Sequence, residues 1–191
     1  MASQTPSVPR PNSGDIVEVI LDDHRLFEAQ MRDLRDSSGD RPAALAAFSA
    51  LMVAHSLAEE TQVYPTLKRK TDDVGEHEAE HGEEEHAESL ADLLALLEVD
   101  EVGSEDFDEA VEKVCNSLFH HLTEEELTIL NPARYDLEDE TRQKLGSTFL
   151  AERNRLLDED CGTVTYVRRE VKKAVKEDLV DADDVPASAT P

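Results

Sequence analysis

The chain of 191 residues contains seven histidines, and their placement says more than their number. His55-Ser-Leu-Ala-Glu59 and His121-Leu-Thr-Glu-Glu125 share the spacing HxxxE. On a helix, residues four apart project from one face, so each motif aims an imidazole and a carboxylate the same way. Both motifs continue apolar stripes: Phe48, Leu51 and Met52 lead to His55, and Val114 and Leu118 lead to His121. A buried carboxylate without a partner is unfavourable, and a shared cation would remove that penalty. His24, flanked by Val17, Ile20, Leu21, Phe27 and Met31, sits in a similar setting. So does His86, which is followed by Leu90, Leu93, Leu94 and Leu97. The chain thus carries a weak internal repeat, Asp23-His24 with His55-x3-Glu59 and Glu85-His86 with His121-x3-Glu125. Two helix hairpins related by a pseudo-two-fold would aim His24, His55, Glu59, His86, His121 and Glu125 at one point. That donor set suits two iron ions, with imidazoles as terminal ligands and carboxylates bridging.

The elements that must position these groups are helices. Asp15–Ser37 carries Val17, Ile20, Leu21, Phe27, Met31 and Leu34 at helical spacing, and stops at Ser37-Ser38-Gly39-Asp40. Pro42–Lys70 opens with proline near a helix start, where a missing N–H matters little. A third segment spans about 76–98, and Ser104 caps a fourth whose apolar face is Phe107, Val111, Val114, Cys115 and Leu118. Short connections favour antiparallel neighbours. The expected fold is all-α: an up-down-up-down four-helix bundle over 15–132, then a helical extension over 133–180 with one or two extra helices. Within that extension, Leu137–Asp158 ends near Gly162, read as a helix C-cap, and a further helix begins at Thr163. Residues 1–14 and 181–191 lack periodicity and are expected to be disordered tails.

Composition removes several function classes. Nineteen Lys and Arg against 45 Asp and Glu leave a net charge of −26, which repels nucleic acid and anionic membrane surfaces. Cys115 and Cys161 make no disulfide framework, and Cys115 reads as inert core. No apolar run approaches bilayer-spanning length, and the N-terminal stretch has no hydrophobic signal core. A cytoplasmic protein is expected.

The order H…HxxxE…H…HxxxE resembles the hemerythrin-like (HHE cation-binding) family over about 15–132, and the overall pattern looks like its actinobacterial members. The resemblance implies an oxygen-bridged, non-haem di-iron centre inside the bundle. Oxygen-carrying members pair two histidines as HxxxH on the third helix and place an Asp five residues after the last His. Here HxxxH spacing occurs only at His77 and His81, off the Leu face that His86 occupies, and the fourth-helix carboxylate is Glu125 at +4. Reversible oxygen carriage is therefore disfavoured. The expected function is reaction with hydrogen peroxide (catalase-like) or nitric oxide in oxidative or nitrosative stress. The alternative is a module that senses or binds dioxygen or iron without turnover.

A lone HxxxE is more often a surface ion pair than a metal site, but two on apolar stripes in matched hairpins reverse that balance. His77, His81 and His120 are expected to face solvent or to stand behind the ligands, with His81 also a candidate ligand. Glu-x-x-His spacing falls only within the third segment, at Glu78/His81 and Glu83/His86, which disfavours a ferritin-like ferroxidase. Six donors exceed a tetrahedral structural zinc site. Tyr64, five residues after Glu59 and just before Pro65, is the remaining candidate ligand. An ideal helix puts it roughly 140° from Glu59. It therefore reads as a core aromatic unless the turn between them widens.

Overall fold

Asp15 starts the first helix: its carboxylate accepts a hydrogen bond from the Val17 N–H at 3.0 Å, one of the donors a helix start leaves free. In this computed structural model, which describes residues 8–70 and 76–190, α1 runs over Ile16–Arg35. Asp40 caps α2 (Arg41–Ala58) in the same way, accepting from Ala43 N–H, with Pro42 in the first turn. The chain then widens into a π turn, Glu59–Val63, and continues as α3 (Tyr64–Lys70). α4 spans Glu76–Leu97. Ser104 Oγ accepts from Phe107 N–H to open α5 (Glu105–Glu125), which passes through a second π turn, Glu126–Leu130, into α6 (Asn131–Asp136). α7 (Asp139–Asp158) and α8 (Val164–Lys176) complete the described helices.

α1 packs on α2 and α4 on α5, giving the up-down-up-down bundle, while α7 lies against α1 and α2 and α8 against α4. The bundle interior is not continuous oil. It is divided into two apolar clusters, and the boundary falls at the same level on each helix. On α1, Ile16, Val17 and Ile20 belong to one cluster and Phe27, Met31 and Leu34 to the other, with His24 between. Val114, Leu118 and Leu122 are likewise separated from Ile129 and Leu130 by Glu125. A buried polar layer crosses the bundle at this level.

Several expectations are corrected. Residues 181–190 are not a loose tail: Val185 and Ala189 are buried in the core cluster, and Ser188 bonds Glu98 and Arg168. In the N-terminal stretch, residues 8–14 are tied to α7, since Arg153 donates to the Pro9 carbonyl and Asn154 to that of Pro11. Residues 1–7 lie outside the described residues. Gly162 is not a cap: Asp160 takes the left-handed conformation (φ 52°) after α7. Gly162 instead touches the backbone of α2, where a Cβ would come within 2.5 Å of Ala50 N, and its carbonyl accepts from Ser49 Oγ. The segment 41–69 is, by length and composition, apolar enough to cross a bilayer, contrary to expectation, but 67% of its apolar window is buried in the bundle. No other helix among the described residues meets that test.

Candidate metal centre

His24, His55, Glu59, His86, His121 and Glu125 are all buried, and the fold brings the six together. One donor atom each from His24, His55 and Glu125 lie within 4.8 Å of one another, and the same holds for Glu59, His86 and His121. The two groups are linked. Glu59 Oε1 stands 3.2 Å from His55 Nε2 while Oε2 stands 3.4 Å from His86 Nε2. Glu125 Oε2 lies 3.1 Å from His24 Nε2 and 4.0 Å from His121 Nε2. Each carboxylate therefore faces imidazoles from both hairpins.

The outward nitrogens are ordered by four acidic residues in a pseudo-symmetric pattern. Within hairpins, Asp23 Oδ2 meets His55 Nδ1 at 3.2 Å and Glu85 Oε2 meets His121 Nδ1 at 2.9 Å. Across hairpins, Glu126 meets His24 Nδ1 at 2.9 Å and Glu60 meets His86 Nδ1 at 3.1 Å. A carboxylate on Nδ1 makes that nitrogen the N–H donor, so Nε2 presents a lone pair inward. His86 and His121 then face each other with Nε2 atoms 2.9 Å apart. Two lone pairs at that distance repel unless a proton or a cation lies between the rings. The remaining inward atoms tell the same story. His24 Nε2, His55 Nε2, both oxygens of Glu59 and of Glu125, and the Tyr64 hydroxyl have no hydrogen-bond partner.

Charge alone cannot satisfy this layer. Burial, reinforced by the neighbouring Glu125 charge, drives Glu59 well above the ordinary carboxylate range. Burial also pushes Glu125 up, but the His24 imidazolium, 3.1 Å away, outweighs it and holds Glu125 at about 2. His24 is lowered by burial and raised more strongly by Glu125 and Glu126, to about 9. Burial takes His55 down to about 4, and burial takes His86 well below its usual range. One ion pair and several neutral groups result, although six metal-type donors converge. These residues fit a pair of cations: the orphaned atoms are donors that metal–ligand bonds of about 2.0–2.2 Å would satisfy.

The π turns set what stands next to this layer. Tyr64 N–H bonds the Glu59 carbonyl, and Asn131 N–H that of Glu126, in the wide i to i−5 pattern. The extra residue cancels most of the ideal-helix offset, so Tyr64 stands one wide turn beyond Glu59 on its face. Its ring stacks on His86 at 5.7 Å with planes 14° apart, fully buried. Burial, reinforced by the neighbouring carboxyl groups, raises its hydroxyl well above the ordinary phenol range.

His81 does not join the interior, contrary to its candidacy. α4 is continuous through Gly82, so His81 and His86 leave on different faces, and the His81 side chain is 47% exposed. His120 is also exposed. The side chain of His77 lies outside the described residues. Sequence reasoning missed Glu60, Arg153 and the roles of Asp23, Glu85 and Glu126. A signal was present: an acid precedes His24 and His86, and a second acid follows Glu59 and Glu125. Arg153, fully buried between Phe149 and Leu157 on α7, donates to both Asp23 oxygens at 2.6 and 2.7 Å. Its signal was a lone cation on an apolar stripe.

No curated protein and no solved structure matches the chain. The family model for the hemerythrin HHE cation binding domain matches residues 15–132, more than half of the sequence. With the four-helix bundle and its two buried His/Glu clusters, that match makes the chain a member of the hemerythrin HHE cation-binding family, a metal-binding helical module.

Proposed function

We propose that the chain is a non-haem di-iron protein that decomposes hydrogen peroxide in a catalase-like reaction or consumes nitric oxide, in defence against oxidative or nitrosative stress. His24, His55 and Glu125 would hold one iron, and Glu59, His86 and His121 the other, with both carboxylates able to bridge. The observation that carries the reading is the pair of facing lone pairs on His86 and His121 among orphaned Glu59 and Glu125 oxygens. Imidazole with carboxylate is a mixed donor set that suits iron and manganese. Four histidines leave two per ion, fewer than an oxygen carrier's set implies, so positions stay open for a small reactant.

When bound, the ions would supply redox cycling, through which one peroxide is oxidised to dioxygen while a second is reduced to water. What the chain supplies is access, proton control and dryness. A cleft of about 290 Å³ between α1 and α5 reaches His24 from solvent, past Glu28, Phe119, Leu122 and Glu126. Its floor at His24 favours small molecules such as hydrogen peroxide, nitric oxide or dioxygen. Tyr64 holds a proton on an unpartnered hydroxyl beside His86, and is the candidate third donor on the Glu59 side. The four outer carboxylates keep the imidazoles in the Nε2-inward tautomer. Apolar clusters above and below exclude bulk water.

The test is metal analysis and an ultraviolet–visible spectrum of the purified protein, then oxygen evolution on adding hydrogen peroxide. Iron with rapid oxygen release supports the enzyme. A stable oxy spectrum from the reduced protein, without turnover, would instead identify a binding or sensing module. Tyr64→Phe should retain iron, and loss of a visible charge-transfer band in that variant would identify the phenolate as a ligand. An unchanged spectrum would leave Tyr64 as a proton-holding core residue.

A further inference from the structure

The pseudo-two-fold that relates the hairpins fails at one place. On the first hairpin, Asp23 supports His55 and is itself neutralised by the buried guanidinium of Arg153. Its counterpart Glu85 supports His121 through Oε2, yet no arginine or lysine pairs with it among the described residues. Glu85 is more than nine-tenths buried, and its Oε1 has no hydrogen-bond partner. That oxygen points towards His81 Nε2 at 3.7 Å and His120 Nε2 at 3.6 Å. Glu124 closes the group, with Oε2 at 3.4 Å from His81 Nε2 and Oε1 at 3.4 Å from His120 Nε2.

None of these four separations is a good hydrogen bond, whose N···O distance lies near 2.9–3.0 Å. The two to Glu124 match the edge of a coordination tetrahedron, about 3.3–3.4 Å for metal–ligand bonds of about 2.0–2.1 Å, and the two to Glu85 are a few tenths of an ångström longer. Donor atoms of His81, Glu85 and Glu124 already lie within 4.8 Å of one another. His120 meets the same two carboxylates from α5, and its exposed ring is free to turn as the fourth donor.

We propose that His81, Glu85, Glu124 and His120 form a second, solvent-facing site for a divalent cation of the zinc or ferrous class, separate from the interior centre. The cation takes on the second hairpin the part that Arg153 takes on the first: it neutralises the acid that orients an interior histidine. Two imidazoles with two carboxylates favour a borderline ion over magnesium or calcium, which prefer all-oxygen sites. The net charge of −26 raises the local concentration of cations at such a surface. Because Glu85 spans both sites, an ion held here stands next to the interior layer, one carboxylate from His121.

Cobalt(II) is the probe, since a tetrahedral His/carboxylate site gives it a visible ligand-field spectrum. Added to the purified, metal-loaded full chain, cobalt(II) should bind with such a spectrum in excess of the interior complement. His81→Ala should weaken this binding by roughly 10- to 100-fold. His120→Ala should weaken it too, and excess magnesium should not displace it. Both side chains are exposed, so neither variant threatens the fold. The same cobalt(II) binding should persist in His24→Ala, which separates this proposal from the reading of the interior centre. Absence of the extra cobalt(II), displacement by magnesium, or equal binding in the His81→Ala/His120→Ala double variant would overturn it.

Discussion

The Tyr64 hydroxyl occupies the space that a side chain at position 82 would need: a Cβ on Gly82 would stand 2.9 Å from the Tyr64 oxygen and 3.2 Å from Cζ. The π turn at Glu59–Val63 delivers the phenol to this point, and α4 admits it only because Gly82 has no side chain. Gly82→Ala should therefore push Tyr64 off its stack on His86. Overpacking of this kind costs about 1–3 kcal/mol, despite alanine's better helix propensity. Thermal or urea unfolding reads the loss, and a Gly82→Ala protein as stable as the parent would show that the ring moves freely.

Arg153 is a buried cation whose partner is buried too. Burial alone would raise Asp23, but the hydrogen bond from His55 and the charge of Arg153 hold it below the usual carboxylate range. Arg153→Met removes the guanidinium and leaves that charge unpaired, an error worth about 3–5 kcal/mol. Asp23→Asn in the same chain should recover part of the loss, because the stranded charge disappears. Denaturant midpoints of the single and double variants measure the recovery; strictly additive losses would refute the coupling.

Chelation of the metal should lower the thermal midpoint strongly. A ligand at about 1,000 times its dissociation constant contributes about 4 kcal/mol to the folded state. Here the metal-free layer also retains facing imidazoles and a carboxylate raised by burial. Calorimetry before and after chelation, with recovery on adding iron(II), is the measurement. Equal midpoints would place metal outside the bundle.

Both thiols should be silent in the native state. Burial raises Cys115 from 9.0 to about 11 and Cys161 from 9.0 to about 12. At pH 8 a chromogenic disulfide reagent should label neither until denaturant is added. The sign of the linkage follows: an unfolded thiol loses its proton near pH 9, whereas the folded one keeps it. The thiols' contribution to stability is thus complete below pH 9 and declines as pH rises through 11. Fast native labelling would contradict the burial of Cys115 and Cys161 in the core.

Much of the polar layer is legible in the sequence. HxxxE fixes the relative direction of two side chains within one helix, because the backbone repeat alone sets it. The apolar neighbours of His24, His55, His86 and His121 then indicate which faces turn inward. Tyr64 was harder. Its position depends on one extra residue in a helical turn, and Gln-Val-Tyr-Pro does not announce a π turn. The ideal-helix angle pointed it away from Glu59; the wide turn brings it back.

Local sequence, then, determined the helices and their inward faces, since capping residues and helical periodicity act within a few residues along the chain. Folding in space decided which acid serves which histidine: Glu60 reaches His86 and Glu126 reaches His24 across hairpins, through contacts far apart in sequence. It also brought Arg153 from α7 onto Asp23, left Glu85 without such a partner and turned the segment 181–190 from an expected tail into part of the packed surface. No periodicity encodes such pairings, because each depends on how whole helices dock and on which charges that docking removes from water.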